Sequence, residues 1–403
     1  MELWLPYGRT EIPVRIPDDN FYRIVEPSKP AQIDVASIVR NALENPLGDL
    51  SLKSIAKPGG SAAIIVDPIL STDTKGEAIG ILRSQLSGLG VESIKVFQRS
   101  RRSNVHTSQE DRQTLDPRKD SFTEIGKTSA GTVIDLDPEV QSCDVKIVVG
   151  LALPHFATSF SGGPEAVFPS TSSIRSITKN RALMMKGLQS PFSFTENPVL
   201  LDSLEACKIA GPFYNLCFLP DGWGGISSAI AGDLEPVFRE AVSNFAKFHS
   251  PKLERKLDIV IVSAGEIFGS DLYHAIRVVT NVLGALRKDG TVILVAECSN
   301  GVGDNNFLDY ARRFRERKDL FTELRYRFKL GGHANIFLHE ILEKCRIQLV
   351  SVLPELFVRD TFDLKPSQTA SEAVQKAIRI EGKESKILIV PRGEFTVPLM
   401  ESS

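Results

Sequence analysis

A chain of 403 residues with 48 Lys and Arg against 50 Asp and Glu has a formal charge of -2 at neutral pH, which excludes the broad basic face of a nonspecific nucleic-acid binder. Hydrophobic residues make up 42% and charged residues 24%, enough apolar matter for packed cores and too little bias for a disordered chain. No apolar run approaches the ~20 residues of a membrane helix, and MELWLPYGRTEIPVRIP lacks the charged-then-apolar order of a secretory leader, so a cytoplasmic protein is expected.

In chain order, seven short β-branched runs mark strands: AAIIVD at 62–67, SIKVFQ at 93–98, VKIVVGL at 145–151, LDIVIVSAG at 257–265, TVILVAE at 291–297, IQLVSVL at 347–353 and SKILIVP at 385–391. Most are apolar throughout rather than alternating, the pattern of strands buried on both faces of a parallel sheet. Between them KGEAIGILRSQLSGLG, EPVFREAVSNFAKF and DLYHAIRVVTNVLGALRKDG have helical periodicity. The alternation predicts the α/β class, and the length predicts two α/β domains with mainly parallel sheets and a cleft between them. The charged, Pro-containing stretch KFHSPKLERKLD at 247–258 places the boundary, giving an N-terminal domain of 1–250 and a C-terminal domain of 251–403. The last strand, near 385–395, either completes the second domain or returns to the first. SFTEIGKTSAGTVIDLD reads as a connecting excursion.

Cys143, Cys207, Cys217, Cys298 and Cys345 are scattered and odd in number, which reads as buried free thiols. The six histidines show no zinc spacing, so no metal site built from protein side chains alone is expected. His333 and His339, six apart, do not stack on one helix face, and Gly301 to Asp304 lacks the lysine and full spacing of a phosphate loop.

Ligands of open α/β sheets sit beyond the carboxyl ends of strands, so the loops after the apolar runs hold the candidate residues. His155 follows Pro154 after VKIVVGLAL; it is a base with an ordinary pKa of about 6.5, or a histidine bonded to the loop backbone. Ser161, Gly162 and Gly163 form either a cradle of backbone N–H groups for a phosphate or an ordinary turn. Arg181 and Arg277 are clamps for a carboxylate or phosphate, or surface salt bridges. Asp67 ends an apolar strand as a catalytic carboxylate or a loop cap.

Taken together, LPYGRTEIPVRIPDDN, NALENPLGDLSLKSIA, PHFATSFSGG with its downstream NR, GEIFGSDLYHAIR and GDLEPVFREA resemble the lactate racemase superfamily, in order and over nearly the whole chain. The resemblance implies that fold and a nickel pincer nucleotide that interconverts the stereoisomers of 2-hydroxy acids. His155, Phe160, Ser161, Gly162 and Gly163 match the family's His and Gly-Phe-Ser-Gly-Gly, while Glu165 stands where a lysine would hold the cofactor. Asn180 and Arg181 stand where an Asn-His pair would supply a nickel ligand, and a guanidinium does not ligate metals. In RRSNVHTSQED, Ser103 falls at the position of a second acid/base histidine, with His106 three residues on. Asp67 is kept, but Leu70 replaces a substrate-binding arginine. Tyr273 and Arg277 match the family's Tyr-x-x-x-Lys with the positive charge preserved. With the cofactor's holders replaced, Glu165 is an acid/base, an oxygen ligand for another metal, or a solvated carboxylate at a helix start. Lys179 and Lys186 are alternative attachment points. The expected partner is a small anionic substrate or ligand, with neither nucleic acid nor membrane; the oligomeric state is left open.

Overall fold

In the computed structural model all seven apolar runs form strands, divided between two sheets. The structure describes residues 1–27, 34–99, 112–119, 121–186, 192 and 196–401. The chain separates into one unit of Lys29–Phe245 and another of Met1–Ser28 with Ala246–Ser403.

In the Lys29–Phe245 unit the sheet runs Ile226–Asp233, Tyr214–Pro220, Val145–Leu151, Ser61–Val66, Ser93–Arg99, Arg112–Leu115. Its strands are parallel except for the Ile226–Asp233 edge, which runs antiparallel to Tyr214–Pro220. Tyr214–Pro220 is buried at every position, and Val145–Leu151 at every position but one, which accounts for uninterrupted apolar runs. The central strand YNLCFLP contains no β-branched residue, so the signal that marks its neighbours is missing. The helix Thr72–Gly88 covers KGEAIGILRSQLSG and is capped by Ser71, whose Oγ accepts the Thr74 N–H at 3.2 Å. SFTEIGKTSAGTVIDLD contains a hairpin of Thr123–Lys127 and Val133–Leu136.

In the second unit the order is Lys365–Ser367, Arg346–Val350, Leu286–Val295, Leu257–Ser263, Ile387–Val390, Phe21–Ile24, all parallel. The division therefore differs from 1–250 and 251–403 at the start of the chain. Leu5, Val14 and Ile16 of the opening hairpin are buried in one core with Ile259, Ile261, Ile293 and Ile389. The edge strand FYRI, half-buried and short, pairs with Ile387–Val390. The last strand thus stays in the second unit, between Leu257–Ser263 and Phe21–Ile24. The helix read over DLYHAIRVVTNVLGALRKDG stops at Val282, and Leu286 already begins a strand. Sheet order reverses at Leu257–Ser263, with Leu286–Val295 on one side and Ile387–Val390 on the other. The carboxyl ends of these strands are where such a sheet receives ligands.

Candidate functional site

In the Lys29–Phe245 unit the chain leaves Val145–Leu151 and folds back in a small hairpin, Pro154–His155 against Ser159–Phe160. His155 Nδ1 lies 3.2 Å from the backbone nitrogens of both Ala157 and Thr158, which donate to it. A ring nitrogen that accepts two N–H groups carries no proton, so the ring hydrogen is on Nε2. Nε2 stands 3.4 Å from Glu165 Oε1. Thr158 Oγ1 lies 3.1 Å from Glu165 Oε2 and shares its one hydrogen among that oxygen, Phe160 O and His155 Nδ1, the last two each at 3.0 Å, and Arg181 Nη2 donates to Oε1. Arg181 is thus the charged partner of a carboxylate that His155 and Thr158 also approach. The His155, Glu165 and Arg181 side chains are only 12%, 16% and 9% exposed. His155 presents a bound N–H to Glu165, where the sequence suggested a base.

The support for Arg181 reaches further into the unit. Its Nη1 donates to Asn180 Oδ1 at 3.3 Å. Asn180 Nδ2 donates to Asp202 Oδ2 at 2.8 Å, and Thr128 Oγ1 donates to Asp202 Oδ1 at 2.5 Å. Asn180 and Arg181 lie on the helix Ile174–Ala182, and Asp202 lies on Pro198–Ala210. Asn197 caps the latter through Val199 and Leu200, while its Nδ2 donates to Ala157 O and Ser159 Oγ. Thr158, Asn197 and Asp202 escape a reading by motif, because each acts through partners from 22 to 74 residues away or through its own loop. The available signal is Asn197-Pro198, a capping residue followed by proline at a helix start.

Ser161, Gly162 and Gly163 pack as a turn against the strand. Ser161 Oγ donates to Leu151 O at 2.8 Å, Asn215 Nδ2 donates to Gly162 O at 3.2 Å, and a Cβ on Gly163 would meet the Phe238 ring at 2.8 Å. The helix that follows, Pro164–Val167, is a single turn. Asp67 Oδ1 accepts the Ile69 N–H at 2.9 Å, the loop-capping arrangement. Lys179 and Lys186 are exposed. Ser103 and His106 lie outside the described residues. Among the described residues no group of three His, Cys, Asp or Glu side chains is placed to hold a metal ion. No described helix is long and apolar enough to cross a membrane.

In the other unit Tyr273 and Arg277 lie on the helix Leu272–Val282, after the Leu257–Ser263 strand. The Arg277 guanidinium lies 4.3 Å above the Phe268 ring, and Tyr273 meets Phe307 edge-on at 5.7 Å. Beyond Ile387–Val390, Glu394 is 2% exposed, and a Cβ on Gly265, at φ +58°, would lie 1.9 Å from its Oε1. Burial pushes its carboxyl up from 4.5 to about 7, against the downward pull of its own backbone N–H and of Arg392. With respect to this group the fold is most favoured below pH 4.5 and loses that contribution as pH rises through about 7. The loss amounts to about 3 kcal/mol. Urea unfolding of Glu394→Gln should therefore show a flatter pH dependence between 5 and 8 than the wild-type protein; parallel curves would contradict the assignment.

The family models "Lactate racemase N-terminal domain" and "Lactate racemase C-terminal domain" match residues 7–191 and 253–397. The lactate racemase of Thermoanaerobacterium thermosaccharolyticum is 24% identical over 420 residues, covering 96% of this chain and 97% of the relative. The lactate racemase of Lactiplantibacillus plantarum is 23% identical over 436 residues, with the same coverage. Among solved structures, the lactate racemase apoprotein of T. thermosaccharolyticum superposes with a TM-score of 0.86 at 22% identity, over 99% of this chain and 100% of that one. A Thermotoga maritima protein superposes with a TM-score of 0.67 at 13% identity, over 93% and 100% of the two chains.

Proposed function

This chain belongs to the lactate racemase family, and from that premise we propose that it binds a small 2-hydroxy acid or a similar anion without the family's lysine-held nickel chemistry. The observation that carries the reading is the contact between Glu165 and Arg181, the two positions at which the resemblance implies the cofactor's lysine and a nickel histidine. These residues do not fit the group. A carboxylate cannot make the thioamide link of a lysine, and a guanidinium remains protonated and does not coordinate a metal. They are instead paired with each other, with His155 and Thr158 beside the carboxylate. The site's own residues thus satisfy one another's charges. The ligand class rests on the relatives' named substrate and on Arg277, which keeps a cation where the resemblance implies one for the substrate carboxylate.

A single preparation tests the reading, made in a host that synthesises the pincer nucleotide. Intact mass should equal that of the bare chain, nickel should be absent, and calorimetry should register D- or L-lactate binding. A covalent mass increment accompanied by nickel would overturn the cofactor half of the proposal; absence of binding by any small 2-hydroxy acid would overturn the ligand half.

A further inference from the structure

The unit of Met1–Ser28 and Ala246–Ser403 contains a histidine whose ring hydrogen is placed opposite to that of His155. Asp271 caps the helix Leu272–Val282: its Oδ1 accepts the His274 backbone N–H at 2.9 Å. Both oxygens of the same carboxylate stand 2.8 Å from His274 Nδ1. An ionised carboxylate only accepts, so Nδ1 carries a hydrogen, and in the neutral ring Nε2 then carries the lone pair. The Asp271 side chain is 10% exposed and the His274 side chain 44%, so the orienting carboxylate is covered while the imidazole reaches solvent. Among the described residues no hydrogen bond reaches Nε2.

The surroundings hold this dyad in place at the carboxyl ends of two adjacent parallel strands. The loop after Leu257–Ser263 and the loop after Leu286–Val295 are tied together by Cys298 N–H to Gly269 O at 2.8 Å, Asn300 N–H to Ser270 O at 2.8 Å and Tyr273 N–H to Val302 O at 3.0 Å. Gly303, at φ +87°, leaves room for the carboxylate: a Cβ there would lie 2.3 Å from Asp271 Oδ1. Arg277 follows His274 by three residues on the same helix, the spacing that puts two side chains side by side. An acceptor and a cation one turn apart on the same helix form a two-point pattern for a molecule bearing a hydroxyl next to a carboxylate.

We propose that His274 Nε2 accepts the hydroxyl hydrogen of a small 2-hydroxy carboxylate whose carboxylate pairs with Arg277, so that the Asp271–His274 dyad selects 2-hydroxy acids over 2-keto acids. The inference rests on the anion-binding reading above and supplies its specificity. A keto oxygen has only lone pairs to offer and meets the Nε2 lone pair unmatched. Sites built to match one hydroxyl reject analogues that lack it. His274 acts here as a specificity residue and Asp271 as the residue that positions it.

Two measurements on the full chain test this. Long-range 1H–15N spectra, with His274→Gln used for assignment, should show the Nδ1–H form for His274. Calorimetry should find lactate bound about tenfold or more tighter than pyruvate. Asp271→Asn keeps a good helix cap. With its oxygen on the His274 backbone N–H, it turns an amide donor toward Nδ1. The ring hydrogen then moves to Nε2, and the preference for lactate should vanish or reverse. An Nε2–H form in the wild-type protein, or a lactate-to-pyruvate ratio unchanged in both variants, would sink the inference while leaving anion binding intact. Failure of the wild-type protein to bind either acid would overturn both.

Discussion

Glu165→Ala should destabilise the protein by about 3–5 kcal/mol in urea unfolding, because it strands a nearly buried guanidinium without its counter-ion. Arg181 is 9% exposed, and the other oxygen it donates to, Asn180 Oδ1, is neutral. Arg181→Met should be costly for the complementary reason, leaving the carboxylate with only His155 and Thr158 as donors among the contacts described. The double variant Glu165→Met with Arg181→Met should lose much less than the sum of the two, since apolar pairs of similar volume replace buried ion pairs at little net cost. A coupling of about 3 kcal/mol is expected from the cycle. Additive single effects would mean that the pair is not a structural unit, and would remove the observation on which the proposed function rests.

Gly150→Ala should cost about 3 kcal/mol, at the upper end of overpacking penalties, because nothing soft lies in the way. A Cβ on Gly150 would meet Gly162 Cα at 2.7 Å and its carbonyl carbon at 3.0 Å. Gly162 is itself at φ +92°, and a Cβ there would press on the backbone of Leu151 at 2.8 Å. Strand and loop therefore touch backbone to backbone, and relief comes only by moving the segment that leads to Glu165. Repeating the Glu165–Arg181 cycle in the Gly150→Ala background should give a smaller coupling. An undiminished coupling would show that the loop accommodates the methyl group without moving the pair.

The parallel core was legible wherever burial on both faces left an uninterrupted β-branched run, as in VKIVVGL and LDIVIVS. It was illegible in YNLCFLP, which relies on aromatic and leucine bulk, and in FYRI, an edge strand whose partner is set by tertiary packing alone. At the site, Glu165 and Arg181 each stood out in the sequence, where the resemblance implies a lysine and a histidine. Their pairing was not, because 16 residues of turn, loop and helix separate them. The clue was electrostatic: an acid and a cation stand where the resemblance implies an amine and an imidazole. Asp271 and His274 went unread in the sequence, although an aspartate at a helix start with histidine three residues on is a spacing that lets the ring reach the capping carboxylate. Glu394 offers no such clue, since PRGEF looks like a surface loop until Gly265 and the strand ends close over it.

Phe21–Ile24 has a single neighbour in its sheet, Ile387–Val390. Asn20, just before it, donates to Ser385 O, 365 residues further along the chain. On a ribosome adding about 5–20 residues per second, that partner arrives on the order of 20–70 s later. The Lys29–Phe245 unit, complete in sequence well before then, is free to fold first, while this strand waits unpaired. An early strand is thus among the last to be fastened, and losing residues 384–403 would remove the strand it pairs with.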